Sequence, residues 1–352
     1  MPDNQRNNNF TMIRIMSSML VFAGHLGMML GLTPPLFGGI STHEVGVRAL
    51  FIIGGYLIAQ SWRRDSSIVR YLVRRFFRLW PPFAVAVLLI MFVFAPGFSK
   101  LGVKGYFSGE YLVYLRNLRF YIVYALPGVF TDLPYSNAVN GSFWTMPVEA
   151  FVYLFLPLVF TLAGLISKKR RVIILTVLAV VLAAADLYMI FYEVRIVVYA
   201  TSLEPAVQLT VFFLAGAILA QPEMEKYLSL QKSLIGMIIL MMMQQMYSFA
   251  RALLFVVLPY FVISFATMEN PQFGKVGQKT DPSYGIYLYG FFFQQCVVQL
   301  KVWYKLPWGY GICFAVSLVP TVLAGILSYK FVEKPSVRLG AWINRILKAV
   351  RI

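Results

Sequence analysis

Apolar residues along this chain gather into blocks close to the roughly 20 residues a helix needs to cross a bilayer, separated by short polar or basic joints. Ten blocks read as membrane-spanning helices: residues 12–32, 45–62, 80–97, 145–166, 172–191, 205–221, 233–249, 251–268, 284–301 and 309–332. The seventh and eighth are nearly fused by the short link at Phe249–Arg251. The pattern predicts an all-α polytopic bundle.

Two joints depart from the pattern. In "SWRRDSSIVRYLVRRFFRLWPP" (61–82), Arg70, Arg74 and Arg78 recur every four residues on one stripe, while Ile68, Leu72, Phe76 and Leu79 take other faces. Such a basic amphipathic segment belongs in the cytoplasmic interface. The joint over 98–144 carries tyrosines at 106, 111, 114, 121, 124 and 135 and the apolar run "FYIVYALPGVF", which is too short to span. A re-entrant or lid-like element and an ordinary structured loop both fit it. The expected organisation is a cytoplasmic tail over 1–11, one transmembrane domain over 12–340 and a basic cytoplasmic tail over 341–352.

Composition closes off the soluble alternatives. Of 352 residues, 59% are hydrophobic and 13% charged, and mean hydropathy is +0.72, values a water-soluble globule cannot carry without a large exposed apolar surface. The net charge of +17 would suggest nucleic acid in a soluble protein. In a membrane protein it follows from basic residues collecting on the cytoplasmic side. With the N-terminus inside, inner segments hold 21 Lys and Arg against 8 outside, which predicts both termini in the cytoplasm and no nucleic-acid partner. Some of those cations are also available to an anionic ligand. Cys296 and Cys313 fall in apolar runs as buried thiols, with no paired or metal-ligand spacing. No removable leader is expected, and no appended soluble catalytic domain.

Ionisable residues inside spans are expensive and mark candidate chemistry. Arg14 and His25 lie in the first block, eleven residues apart. Eleven residues advance a helix by about 16 Å and close to three whole turns, so both share one face at two depths. A cation at the mouth and an imidazole inside suit a long ligand with an anionic head and a reactive tail. Acyl-coenzyme A is such a ligand, its phosphates meeting Arg14 and the 63–78 arginines through their forked donors. The plain alternative for His25 is a satisfied core residue, and for His43 an interfacial one. Glu149 either orients His25 or pairs with Arg14 or Arg48. Glu333 reads as an ion-pair partner of the arginine-rich segment, and Asp186 has no assignment. No cofactor or metal is expected beyond the donor itself.

These residues sit in stretches that resemble the membrane-bound acyltransferase-3 family, bacterial O-acyltransferases of surface polysaccharides. Arg14 and His25 resemble its first-span Arg/His signature. "VRALFIIGGYLI" (47–58) is similar to its "DLFFVLSGFLI" and "RRFFRLWPP" (74–82) to its "RRxxRIxP". "NGSFWTMPVEAFVYLFLP" (140–157) resembles its "WSLxxExxFYLxxP" span, and "SYGIYLYGFFFQQ" (283–295) and "FVEKP" (331–335) its last landmarks. The resemblance runs from about residue 11 to 340. It implies a ten-span fold in the bacterial inner membrane, with acyl-CoA used from the cytoplasmic side. It also implies His25 as catalytic residue, with Arg14, Arg74, Arg75 and Arg78 as donor contacts. Arg48 and Gly54 replace the acidic residue and Ser of the second-span motif, and Gly290 and Phe292 replace the His and Pro frequent in the ninth span. Arg48, His43 and Trp144 are the candidates for the acceptor side.

The reading is transfer of an acyl group, acetyl by default, from CoA to a sugar hydroxyl of a cell-surface polysaccharide or its lipid-linked precursor. His25 acts as general base, or is acylated first and passes the group on. Glu149 is the candidate partner of His25. N-acylation differs only in the acceptor. The rival from another class is a transporter or lipid-linked-sugar flippase in which Arg14, His25 and Glu149 relay protons.

Overall fold

The structure, a computed structural model, describes residues 8–37, 40–166, 170–243 and 245–350. Arg6, Lys168, Lys169 and Arg351, counted above among the inner cations, lie outside the described residues. The helices are α1 (Phe10–Met29), α2 (Thr42–Arg64), α3 (Ile68–Leu89), α4 (Gly102–Ser108), α5 (Thr145–Ile166), α6 (Arg171–Phe191) and α7 (Leu203–Leu219). They continue with α8 (Pro222–Glu225), α9 (Leu230–Met242), α10 (Tyr247–Ala266), α11 (Ser283–Trp303), α12 (Tyr310–Ser328) and α13 (Lys334–Ala349). Strands are confined to two minimal antiparallel pairs, Leu36–Phe37 with Ile40–Ser41 and Val197–Val198 with Thr201–Ser202.

Every predicted block coincides with a helix. Among the described residues, seven helices are long and apolar enough to cross a membrane. The other three predicted blocks fall on α7 and α9, which are apolar but short, and on α11. Fifteen residues of α11 are buried within the protein, so its environment is protein and it tolerates polar side chains. Gln294 donates to the Phe22 carbonyl at 2.6 Å, and Gln295 to the Tyr135 and Ala138 carbonyls at 2.7 and 3.0 Å.

The long helices pack as a row in the order α6, α7, α2, α1, α11, α12, with α10 against α9, α7 and α2, and α13 against α3. Missing side chains make this possible. A Cβ on Gly55 would sit 1.8 Å from the Phe213 carbonyl oxygen, and one on Gly216 would sit 2.0 Å from that of Ile52. α2 and α7 therefore touch backbone to backbone. Gly285 meets Gly325 in the same way between α11 and α12, a Cβ on the first lying 2.5 Å from the second's Cα. In lipid, van der Waals packing of this kind replaces the hydrophobic drive between helices.

Three boundaries differ from expectation. The basic segment and the third span form one helical stretch from Ile68 to Phe98, closing through a π turn at Ile90–Phe94 and a 3₁₀ turn at Ala95–Phe98. Pro81 and Pro82 lie inside it instead of ending it. α9 ends at Met242 and α10 begins at Tyr247, so the break between them precedes residues 249–251. Arg251 sits within α10, 8% exposed, because Asp186 and Glu204 hold its charge at 3.3 and 2.6 Å. Finally, residue 340 is not a break. It lies inside α13, where Gly340 packs on Phe77 and the Asn344 side chain donates to the Arg70 carbonyl at 3.0 Å.

The joint over 98–144 folds back along α3. Tyr106 donates to the Met91 carbonyl at 2.7 Å, Phe120 stacks on Phe83 with ring centroids 5.6 Å apart, and Trp80 donates to the Leu118 carbonyl at 2.9 Å. Trp80 lies 18 residues before Phe98, so the segment descends about 27 Å along the helix. Its own core includes Tyr106, Tyr114 and Phe130, all fully buried.

Candidate active site

Arg14 leaves the first turns of α1 and meets Asp281, which sits just ahead of α11. The Arg14 Nη2 and Nε reach one Asp281 oxygen at 2.7 and 3.0 Å. The other oxygen accepts from the Ser283 backbone N–H at 3.2 Å and its hydroxyl at 2.6 Å, so Asp281 also ties down the start of α11. Burial opposes the Asp281 charge, yet Arg14 and the Ser283 hydrogen bonds hold its carboxyl below the usual carboxylate range.

Beside this pair opens a cavity of about 930 Å³, its mouth included, between α1, α2, α3, α5, α7 and α11. Its cations are Arg14, Arg75 and Arg78, and its carboxylate is Glu149. The phenols of Tyr153, Tyr284 and Tyr287 face it together with an apolar wall that includes Leu50, Phe51 and Phe213. Arg78 is anchored by the buried Glu333 at 3.3 Å, the ion pair the sequence led us to expect. Arg75 lies over the rings of Tyr71 and Tyr153 at 5.7 and 6.0 Å. Arg74 does not line the cavity. It turns with Arg70 to Asp65, at 2.6 and 2.7 Å, so the arginine stripe divides between holding the α2–α3 joint and facing the cavity.

Ser18, one turn above Arg14, also lines the cavity and donates to the Ser283 carbonyl at 3.0 Å. Tyr287, also in the lining, hydrogen-bonds Thr145 at 2.6 Å and donates to the Ser142 carbonyl at 3.2 Å. One further turn along α11, Phe291 meets the His25 ring edge-on with centroids 5.2 Å apart. His25 thus lies on the Arg14–Ser18 face of α1, about 6 Å beyond the Tyr287 level when measured along α11. It is half-buried, and among the described residues it has no hydrogen-bond partner. Its other ring neighbour is His43, at 5.6 Å.

The remaining candidates separate. Glu149 is hydrogen-bonded by the Tyr153 hydroxyl and belongs to the cavity, whereas His25 belongs with His43 and Phe291. The expected Glu149–His25 pairing is therefore not formed, because the two side chains engage different neighbours. Glu149 does not partner Arg14 or Arg48 either. Arg48 is 4% exposed and turned away from the cavity, with its guanidinium on Gln208, on Glu44 at 3.6 Å and over the Phe212 ring at 5.7 Å. Trp144 ends the 3₁₀ turn Gly141–Trp144, half-buried and outside the cavity lining.

Sequence reasoning passed over Asp281, Ser18, the three phenols and Gly24. The run Asp281-Pro282-Ser283 is a helix-start signature and was the readable clue to the first. Ser18 falls between Arg14 and His25 at spacings of four and seven, the same helix face. The tyrosines carried no signal of their own in a chain with 21 of them.

Residues 7–344 match a family model described as an acyltransferase domain. The chain is similar to a protein of Shigella phage Sf6 named O-acetyl transferase, with 26% identity over 336 residues, covering 94% of this chain and 96% of that one. It is also similar to Nodulation protein 10 of Rhizobium leguminosarum bv. viciae, with 29% identity over 164 residues, 43% of each chain. No solved structure matches.

Proposed function

The chain belongs to the acyltransferase-3 family, and from that premise we propose that it moves an acyl group, acetyl by default, from acyl-CoA to a sugar hydroxyl. The acceptor is a surface polysaccharide or its lipid-linked precursor, and the enzyme works as a multi-pass protein of the bacterial inner membrane with both termini in the cytoplasm. The observation that carries this reading is an imidazole, without a hydrogen-bond partner among the described residues, lying beyond a cation-mouthed cavity on a single face of α1. Arg14, Arg75 and Arg78 give the phosphates of CoA three cations with forked donors. The same cavity is lined by Tyr287, one helical turn along α11 from the Phe291 that meets His25, and the thioester end of the donor lies toward that side in this reading.

A hydroxyl is a poor nucleophile at neutral pH. His25, with no hydrogen-bond partner among the described residues, removes its proton as the oxygen attacks the acyl carbon and the thiolate of CoA leaves. General-base assistance of this kind contributes roughly 10²–10⁴-fold. Glu149 falls on the donor side in this reading, beside Arg75 and Arg78. The relative named O-acetyl transferase supports acetyl as the group moved.

The test uses purified protein in detergent, radiolabelled acetyl-CoA, and lipid-linked saccharides extracted from the producing cells. Label should enter the saccharide fraction with stoichiometric release of free CoA, and His25→Ala should abolish both while eluting as a monodisperse species. Full transfer by His25→Ala would refute the assignment. A carrier or flippase would release no CoA.

A further inference from the structure

Gly24 precedes His25 on α1, and its missing side chain has a specific consequence. A Cβ there would lie 2.3 Å from Cβ of His43 and 2.8 Å from its Nδ1. Only glycine lets the His43 ring lie against α1 beside His25, with the two ring centroids 5.6 Å apart. The His43 nitrogens differ in their surroundings. Nε2 is 3.4 Å from the Ser41 hydroxyl, and that hydroxyl is 2.6 Å from a Glu44 carboxylate oxygen. A carboxylate only accepts, so the single Ser41 proton goes to Glu44 and the Ser41 oxygen receives Nε2–H of His43. The neutral ring is thereby held as the Nε2–H tautomer, with its lone pair on Nδ1. That Nδ1 is buried with no partner among the described residues and lies against α1 at Gly24. An unpaired buried acceptor is costly to keep, and His25, the neighbouring imidazole, also has no hydrogen-bond partner among the described residues.

We propose that His43 is the positioning and proton-accepting partner of His25, with Ser41 and Glu44 behind it. The proposal rests on the acyl-transfer reading above. The acceptor oxygen forms its bond to the acyl carbon and the carbon–sulfur bond of the donor breaks. The hydroxyl proton passes to one nitrogen of His25, and the proton on the other His25 nitrogen passes to Nδ1 of His43. CoA leaves as the thiolate. His25 ends neutral and His43 ends as an imidazolium whose charge faces Glu44 through Ser41. The cycle closes when His43 returns its proton to water and the thiolate takes one up.

The experiment is the labelled acetyl-CoA assay on the full chain, run with His43→Gln, Gly24→Ala and His43→Ala. His43→Gln keeps the size and removes the base, and should lower kcat about 10²-fold with the KM for acetyl-CoA unchanged. Gly24→Ala, which pushes the ring off α1, should give the same split. Imidazole added to His43→Ala should restore turnover, whereas pyrazole, equal in size but far less basic, should not. Wild-type kcat in His43→Gln would overturn the proposal. So would equal rescue by pyrazole, or no rescue of an His43→Ala protein that elutes as a monodisperse species. Full transfer by His25→Ala would instead overturn the acyl-transfer assignment, and this proposal with it.

Discussion

Asp281 and Asp65 do the same work at two joints: each gathers arginines, Arg14 for the first and Arg70 with Arg74 for the second. Hydrogen bonds from Arg70 above all hold the Asp65 carboxyl well below the usual range, and Asp281 is held down against its burial. A carboxyl depressed in the folded state stabilises fully above its ordinary value, about 3.9, and that contribution is lost as pH falls through the depressed one. These two carboxyls therefore add a fall in the melting temperature in detergent below about pH 4, and Asp281→Asn should remove part of that fall. Arg251 poses a second case. Its partner Asp186 is fully buried, so Arg251→Met strands a charge and should cost about 3 kcal/mol in stability. Asp186→Asn in the same chain should recover part of that loss. A third prediction separates the arginines of α3. Arg75→Ala and Arg78→Ala should raise the KM for acetyl-CoA, whereas Arg74→Ala should lower thermal stability and leave that KM in place.

At the scale of elements, the crossing of α2 and α7 is the most exacting contact. Gly55 faces the Phe213 carbonyl and Gly216 that of Ile52, so Gly216→Val cannot be absorbed by a rotamer change. The two helices must part, and detergent size-exclusion should show the monodisperse peak replaced by aggregate. Helix existence was legible from the apolar blocks because lipid or protein surrounds every one of them. Boundaries were less so. Pro81-Pro82 read as the start of a span, yet the helix passes through it, because the preceding turns are already fixed by Asp65 and by Asn344 of α13. Arg251 read as loop for a similar reason: its acidic partners, Asp186 and Glu204, come from α6 and α7, remote in sequence. The segment over 98–144 was recognisable as unusual from its tyrosines. Its descent along α3 depended on Trp80, Phe83 and Met91 being there to receive it.

For the molecule as a whole, the proposed orientation places the Arg14 end of the bundle in the cytoplasm and the His25 end outside. Both native thiols are buried, so introduced cysteines report cleanly. An impermeant maleimide on intact cells should label Leu32→Cys and Lys305→Cys, while Ser66→Cys and Lys279→Cys should react only after the membrane is opened. Labelling of all four from outside would refute that orientation.

The sequence by itself determined the class of molecule, its helices, and the presence of a cation and an imidazole on one helix face. Those follow from composition, block length and helical period, which are local quantities. Only the tertiary structure decided who pairs with whom. Arg14 with Asp281 spans 267 positions, and Arg78 with Glu333 spans 255. Glu149 went to Tyr153 in place of His25, and Arg48 went to Gln208 in place of the cavity. Burial makes an unpaired polar group costly, and which partner satisfies it depends on helices brought together by packing, information that no local pattern contains.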